Sequence, residues 1–254
     1  MNPLRNIRLL ISYDGTGFSG WQIQKNDRTV QGVLEEALAA IHKHPVGITG
    51  AGRTDSGVHA RGQVANFASD LAGIPANKYS EALNSVLPKD VRIIESGEAE
   101  SDFHSRYDAR WRTYRYYILP GGSPYPWQRN YCLPVRRKLN FRRLMEMADC
   151  FLGTHDFSTF SAAGSDVKST ERTISSSSFF MEGEYLVYQI RGNAFLWRMV
   201  RSIVGTLLEL EENGGGAEEA AAVLASGKRE NAGPTAQPQG LFLQKVEYGG
   251  RHGG

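Results

Sequence analysis

The sequence predicts an α+β fold of two β-α-β-β-α-β lobes that share a central antiparallel sheet with helices on one face. Short apolar runs alternate with stretches of helical spacing up to Phe103, and the same order returns from about Arg106 with longer insertions. Clusters of Gly, Pro and Asn punctuate both stretches. The N-terminal lobe is assigned to residues 1–103 and the C-terminal lobe to residues 104–254.

In the first lobe Ile7–Tyr13 reads as a strand. Thr29 precedes a helix whose apolar residues Val30, Val33, Leu34, Ala37, Leu38 and Ile41 keep helical spacing. Val46–Thr49 and Val64–Phe67 read as short strands, Pro75–Val86 as a second helix and Val91–Ile94 as a further strand. In the second lobe Arg110–Leu119 is a strand, and Asn140 caps a helix bearing Phe141, Leu144, Met145, Ala148 and Phe151. Thr170–Met181 and Tyr185–Arg191 form a hairpin over Glu182-Gly183-Glu184. A later helix sets Leu196, Met199, Val200, Ile203, Val204 and Leu207 on one face, and Phe242–Tyr248 closes the lobe as a strand. Loops are expected at Pro120–Pro126, Ser161–Ser165 and Gly233–Gly240, and the Gly249–Gly254 tail is expected to fray.

A chain of 254 residues with 41% hydrophobic and 22% charged residues has ordinary globular composition. Its two cysteines, Cys132 and Cys150, form no CxxC pair, which fits a reducing cytoplasm. No apolar stretch reaches the ~18 residues of a membrane span, and Met1–Arg5 lacks the pattern of a secretory signal. The six histidines are dispersed, without HExxH or cysteine-rich spacing, so no metal site is expected. Asp55 stands where a dinucleotide fingerprint after Gly50-Ala51-Gly52 would need its third glycine, and no GK[ST] marks a P-loop.

The segment Gly50–Val64 packs four glycines, two arginines and one carboxylate, Asp55, into fifteen residues between two expected strands. Glycine lets backbone approach a ligand closely there. A lone carboxylate two residues after Arg53 suits an ionised group used as nucleophile or charge stabiliser. A second chemical signal lies between His104 and Arg143, where ten Lys and Arg residues face one acid, Asp108, a local charge of +9. Trp111, Tyr114, Tyr116, Tyr117, Tyr125 and Trp127 interleave with these cations, as a phosphate-binding and base-stacking surface requires.

The wording of these segments resembles the tRNA pseudouridine synthase A family over nearly the whole chain. The matching words are Tyr13–Gln22, Thr29–Glu35, the Asp55 segment, Leu83–Pro88, Phe103–Ala109, Tyr114-Arg115-Tyr116, Met199–Gly205 and Gly240–Leu243. The resemblance implies two ferredoxin-like lobes with the active site in the cleft between them. It implies a cofactor-free isomerase that converts uridine to pseudouridine at positions 38, 39 and 40 of the tRNA anticodon stem-loop, working in the cytoplasm as a homodimer.

The same resemblance assigns Asp55 as the essential aspartate, which either attacks C1′ or removes a proton from C2′. Arg53 would pair with it and fill the space of a flipped nucleotide. Arg201 would hold Asp55 as an ion pair, and Tyr114 would stack on the target base near C5. Leu241 falls at an apolar base contact, and Arg110 and Arg112, on the same strand face as Tyr114, complete the expected substrate contacts. Ser56 replaces a frequent alanine, and Trp197-Arg198 stands where many members carry histidine. The rival readings are a non-catalytic RNA-binding module and a metal-dependent nuclease using Asp14 and Asp55.

Overall fold

A computed structural model describes residues 4–162, 164 and 168–249. Its elements in chain order begin with β1 (Arg5–Tyr13), α1 (Val30–His42), β2 (Thr49–Gly50), β3 (His59–Ser69), α2 (Tyr79–Asn84) and β4 (Val91–Glu98). There follow β5 (Ala109–Pro120), β6 (Leu133–Val135), α3 (Phe141–Ala148), β7 (Gly153–Asp156), β8 (Glu171–Glu182), β9 (Tyr185–Gly192), α4 (Met199–Glu212), α5 (Ala217–Ala225) and β10 (Leu241–Tyr248). The chain divides into two compact units, Met1–Arg110 with Phe242–Gly254, and Trp111–Leu241.

In the first unit β1 runs antiparallel to both β3 and β4, and β2 lies antiparallel on β3. The strand order β4-β1-β3-β2 is that of a ferredoxin-like β-α-β-β-α-β lobe. Thr29 caps α1 by accepting from the Gly32 N–H at 3.2 Å, and Val30, Leu34, Ala37 and Leu38 bury its inner face. The expected strand at Val46–Thr49 shrinks to Thr49–Gly50. Its neighbour Ile48 donates to Glu35 Oε1 at 3.1 Å and accepts from Gln31 Nε2 at 3.3 Å, so side chains of α1 take the groups a strand ladder would use. The second helix is shorter than Pro75–Val86. It ends where the Asn84 side chain closes a two-bond ring with the backbone of Ile93, at 2.8 and 2.9 Å. The closing strand β10 pairs in parallel with β3 through Phe242↔His59 and Leu243↔Ala60, so all of it but Leu241 belongs to this unit.

In the second unit β5, β9, β8 and β7 form a mainly antiparallel sheet in that order, and β6 runs parallel beside the end of β5. Asn140 caps α3 as expected, accepting from Arg143 N at 3.1 Å. The hairpin of β8 and β9 turns at Gly183, which takes φ +60°. The helix expected from Leu196 begins at Met199, because Arg198 adopts left-handed φ +61° and interrupts it, while Leu196 stays buried ahead of the break. Strands β6 and β7 and helix α5 were not legible in the apolar spacing. The expected loop at Ser161–Ser165 falls partly outside the described residues, as does all of the Gly249–Gly254 tail except Gly249. Among the described residues no helix is long and apolar enough to cross a membrane.

Candidate active site

Asp55 lies in the loop between β2 and β3, half-buried, after buried Thr54 and exposed Arg53. Thr54 Oγ1 meets the Tyr13 hydroxyl at 2.7 Å inside the core. That bond anchors the loop between exposed Arg53 and half-buried Asp55.

The Tyr13–Gln22 segment grips this loop through backbone contacts. Trp21 N donates to Thr54 O at 3.0 Å, Ser56 Oγ donates to Phe18 O at 3.2 Å, and Gly57 N donates to Phe18 O at 3.3 Å. Gly20, at φ +94°, passes so close that a Cβ there would sit 2.7 Å from Thr54 O. A Cβ on Gly15 would meet Val58 O at 2.1 Å. Gly15 N donates to Nδ1 of buried His59 at 3.0 Å, and His59 stacks on Phe242 with ring centroids 4.6 Å apart. On the other side Gln63, fully buried, closes a ring with the Gly52 backbone, accepting at 3.3 Å and donating at 2.8 Å. Glycine, histidine and glutamine therefore fix the backbone on both flanks of Asp55. The sequence displayed Tyr13–Gln22 as a motif but carried no signal that its task is to hold the Asp55 loop.

Asp14 accepts from Thr16 N at 3.0 Å and Thr16 Oγ1 at 2.6 Å, and lies 3.2 Å from His59 Nδ1. It serves as the cap of a 3₁₀ turn, which is a structural task rather than the ligand role of the nuclease reading.

In the second unit Tyr114, 9% exposed, meets the edge of Phe195 at 5.1 Å and 83°, a contact that sequence reasoning missed. Two residues on, Tyr116 is fully buried and donates to Gln237 O at 2.6 Å. Burial pushes the Tyr116 hydroxyl far above the ordinary tyrosine range, with the Arg201 charge opposing in part. Tyr116 is thus a structural phenol and Tyr114 the one nearer the surface.

Arg201, half-buried on α4, donates from Nε to Ala236 O at 2.8 Å, and Ala236 N returns a bond to Arg201 O at 3.0 Å. The crossover around Ala236 is stapled to the same unit. Gly233 N donates to Thr206 Oγ1 at 2.9 Å, and Arg229 donates to the carbonyls of Ala232 and Gly233, each at 3.1 Å. Gly205 allows Pro234 O to lie where a Cβ would be, 1.7 Å from it. This staple sets Arg201 and delivers Leu241, 5% exposed, to the start of β10. Arg112 donates to Asn193 O at 2.7 Å, and Arg110 is exposed at the end of the first unit. Described by unit, the site residues form two groups: Arg53 and Asp55 with Arg110, and Tyr114, Arg201, Leu241 and Arg112.

The cation-rich stretch is less bare than its sequence. Arg115 pairs with Glu182 at 2.8 Å, Arg137 with Glu211 and Glu212, and Arg142 with Glu146 at 2.9 Å. These acids come from elements distant in sequence or from the next turn, so a running charge count overlooked them. Arg110, Arg129, Arg136 and Lys138 remain exposed.

Comparison with known proteins gives one concordant picture. A family model described as tRNA pseudouridine synthase matches residues 9–108 and 147–249. A relative named tRNA pseudouridine synthase A from Treponema denticola is 49% identical over 96% of this chain and 93% of its own. Relatives of the same name from Halalkalibacterium halodurans and Acetivibrio thermocellus are 46% and 45% identical, over 94% and 96% of this chain and 91% and 100% of theirs.

Proposed function

The chain belongs to the tRNA pseudouridine synthase A family, and from that premise we propose that Asp55, Arg53, Tyr114 and Arg201 isomerise uridines 38, 39 and 40 of the tRNA anticodon stem-loop. The enzyme is an isomerase that turns tRNA uridine into pseudouridine. The bond from C1′ to N1 breaks, the uracil rotates, C5 bonds to C1′, and the C5 proton leaves as N1 gains one. Atoms and oxidation state balance within the nucleotide, so the reaction needs no redox partner and no co-substrate.

The observation that carries the assignment is the grip on Asp55. A half-buried carboxylate sits on a backbone held from both sides by Gly20, Trp21, Phe18 and Gln63. Such fixing suits a group that must meet C1′ or the C2′ proton within a few tenths of an ångström. Arg53 accompanies the flipped nucleotide, whose extrusion costs about a few kcal/mol. Arg201 is the proposed ion-pair partner of the carboxylate, and the Tyr114 ring stacks on the uracil with its hydroxyl near C5. Leu241, Arg110 and Arg112 supply apolar and phosphate contacts. We assign the working form as a cytoplasmic homodimer.

Mapping of pseudouridine in tRNA from cells lacking this chain tests the reading. Loss at positions 38–40, restored by the parent chain and not by Asp55→Asn, is expected. An unchanged map overturns it.

A further inference from the structure

The loop between β5 and β6 carries two large aromatic side chains that nothing in the catalytic assignment uses. Tyr125 and Trp127 are 58% and 69% exposed, yet their rings stack face to face at 4.8 Å and 8°. The loop beneath them is built around Gln128, which is 7% exposed. Its side-chain carbonyl accepts from Tyr125 N at 2.8 Å, and its amide donates to Glu184 at 2.6 Å and to the Tyr185 hydroxyl at 2.7 Å. Its backbone bonds Tyr125 and Tyr131, each at 2.8 Å. At the loop's base Gly121 N donates to Val135 O at 2.7 Å, which sets exposed Arg136 beside it. Arg129, also exposed, follows Gln128 directly.

We propose that Tyr125 and Trp127 form a stacking platform for an unpaired base of the RNA substrate, with Arg129 and Arg136 on the flanking phosphates. The proposal rests on the reading of tRNA as substrate. An aromatic pair already stacked at 8° offers an open ring face to a third ring without further ordering. The charge around it is of the right sign for RNA. Glu182 is paired with Arg115, and the exposed charged side chains within the loop and at its base are Arg129 and Arg136, against one exposed acid of the neighbouring turn, Glu184, which Gln128 holds by its side chain. Pro120 lies six residues along β5 from Tyr114, on the order of 20 Å at strand rise. The base held here is therefore not the target uracil but a second one, and the platform sets where the RNA lies rather than how it reacts.

The test compares the parent, Trp127→Ala, Tyr125→Ala and Trp127→Phe, with Met145→Ala as an exposed apolar control on α3. The probe is an unmodified tRNA transcript. Affinity is measured by filter binding across salt, turnover at steady state, and assembly by sedimentation velocity. Trp127→Ala raises Kd and KM together by roughly 5- to 100-fold, the range expected for one stacked base. Trp127→Phe stays close to the parent, the salt slope is unchanged because no phosphate contact is lost, and Met145→Ala changes nothing. Parent affinity in Trp127→Ala, beside a parent that binds and isomerises tRNA, overturns the platform alone. So does a shift of Trp127→Ala from dimer to monomer with a matching loss of affinity, since the patch then joins two copies of the chain. A parent that neither binds nor isomerises tRNA overturns the underlying functional reading instead.

Discussion

Gly20→Ala strains the Asp55 loop without touching the carboxylate. Gly20 sits at φ +94°, where an L side chain costs roughly 1–2 kcal/mol. The added methyl would lie 2.7 Å from Thr54 O, 3.2 Å from the Asp55 carbonyl carbon and 3.2 Å from Ser56 N. All three are backbone atoms, so relief requires the loop itself to move. Gly20 cannot retreat freely, because its own carbonyl accepts from Val30 N at 3.1 Å and Trp21 N bonds Thr54 O at 3.0 Å. Overpacking of this kind adds about 1–3 kcal/mol. The total lowers Tm by roughly 5–15 °C for a chain of this size. A displacement of 1 Å can cost about 100-fold in rate, so a shift of a few tenths predicts roughly 3- to 10-fold lost from single-turnover pseudouridine formation. The assay uses saturating enzyme well below Tm, with tRNA affinity measured alongside. Gly73→Ala, with nothing within 4 Å of its Cβ, is the control and stays near the parent. A Gly20→Ala enzyme that loses stability but keeps the parent rate would refute the claim that this contact positions Asp55.

Tyr114→Phe keeps the ring and its edge contact with Phe195, so tRNA binding holds while tritium release from C5-labelled uridine falls; release at the parent rate would reduce Tyr114 to a platform. Tyr116→Phe removes the 2.6 Å bond to Gln237 O and costs about 1–3 kcal/mol, read by denaturant unfolding. The raised pKa of Tyr116 has its own pH signature. Below the ordinary tyrosine pKa near 10 its contribution is whole, and above that pH the unfolded chain ionises first, so stability falls with rising pH; the Phe variant shows a shallower alkaline decline. Affinity for tRNA falls by about 0.7–0.9 log units per phosphate contact for each decade of salt, and charge removal at Arg129 and Arg136 flattens that slope where Arg137→Gln, already paired with Glu211 and Glu212, does not.

Long strands and helices were readable because their apolar spacing mirrors burial, as in α1 and α4. The failures have local causes. Thr49–Gly50 shrank because Gln31 and Glu35 reach back to Ile48. Helix α4 starts late because Arg198 turns left-handed, which no propensity for arginine announces. The parallel pairing of β10 with β3 was not foreseeable, since Phe242 lies 183 residues after its partner His59 and such a pairing leaves no trace in periodicity. Asp55 stood out by its glycines, but the side chains that hold its loop, Tyr13, His59 and Gln63, read as ordinary strand residues. The charge of the Arg-rich stretch was overstated for the same reason, because Glu182 and Glu211 neutralise it from afar.

The central claim is that this chain isomerises tRNA uridine through the carboxylate of Asp55. The most direct measurement is tritium release from a tRNA transcript labelled at uridine C5, run on the parent and on Asp55→Asn in buffer containing EDTA with the transcript kept folded. Steady release and pseudouridine formation by the parent are expected, and none by Asp55→Asn with tRNA affinity largely retained. Turnover by Asp55→Asn above about a few per cent of the parent would contradict it, because an amide neither attacks C1′ nor takes a proton from C2′ at a comparable rate.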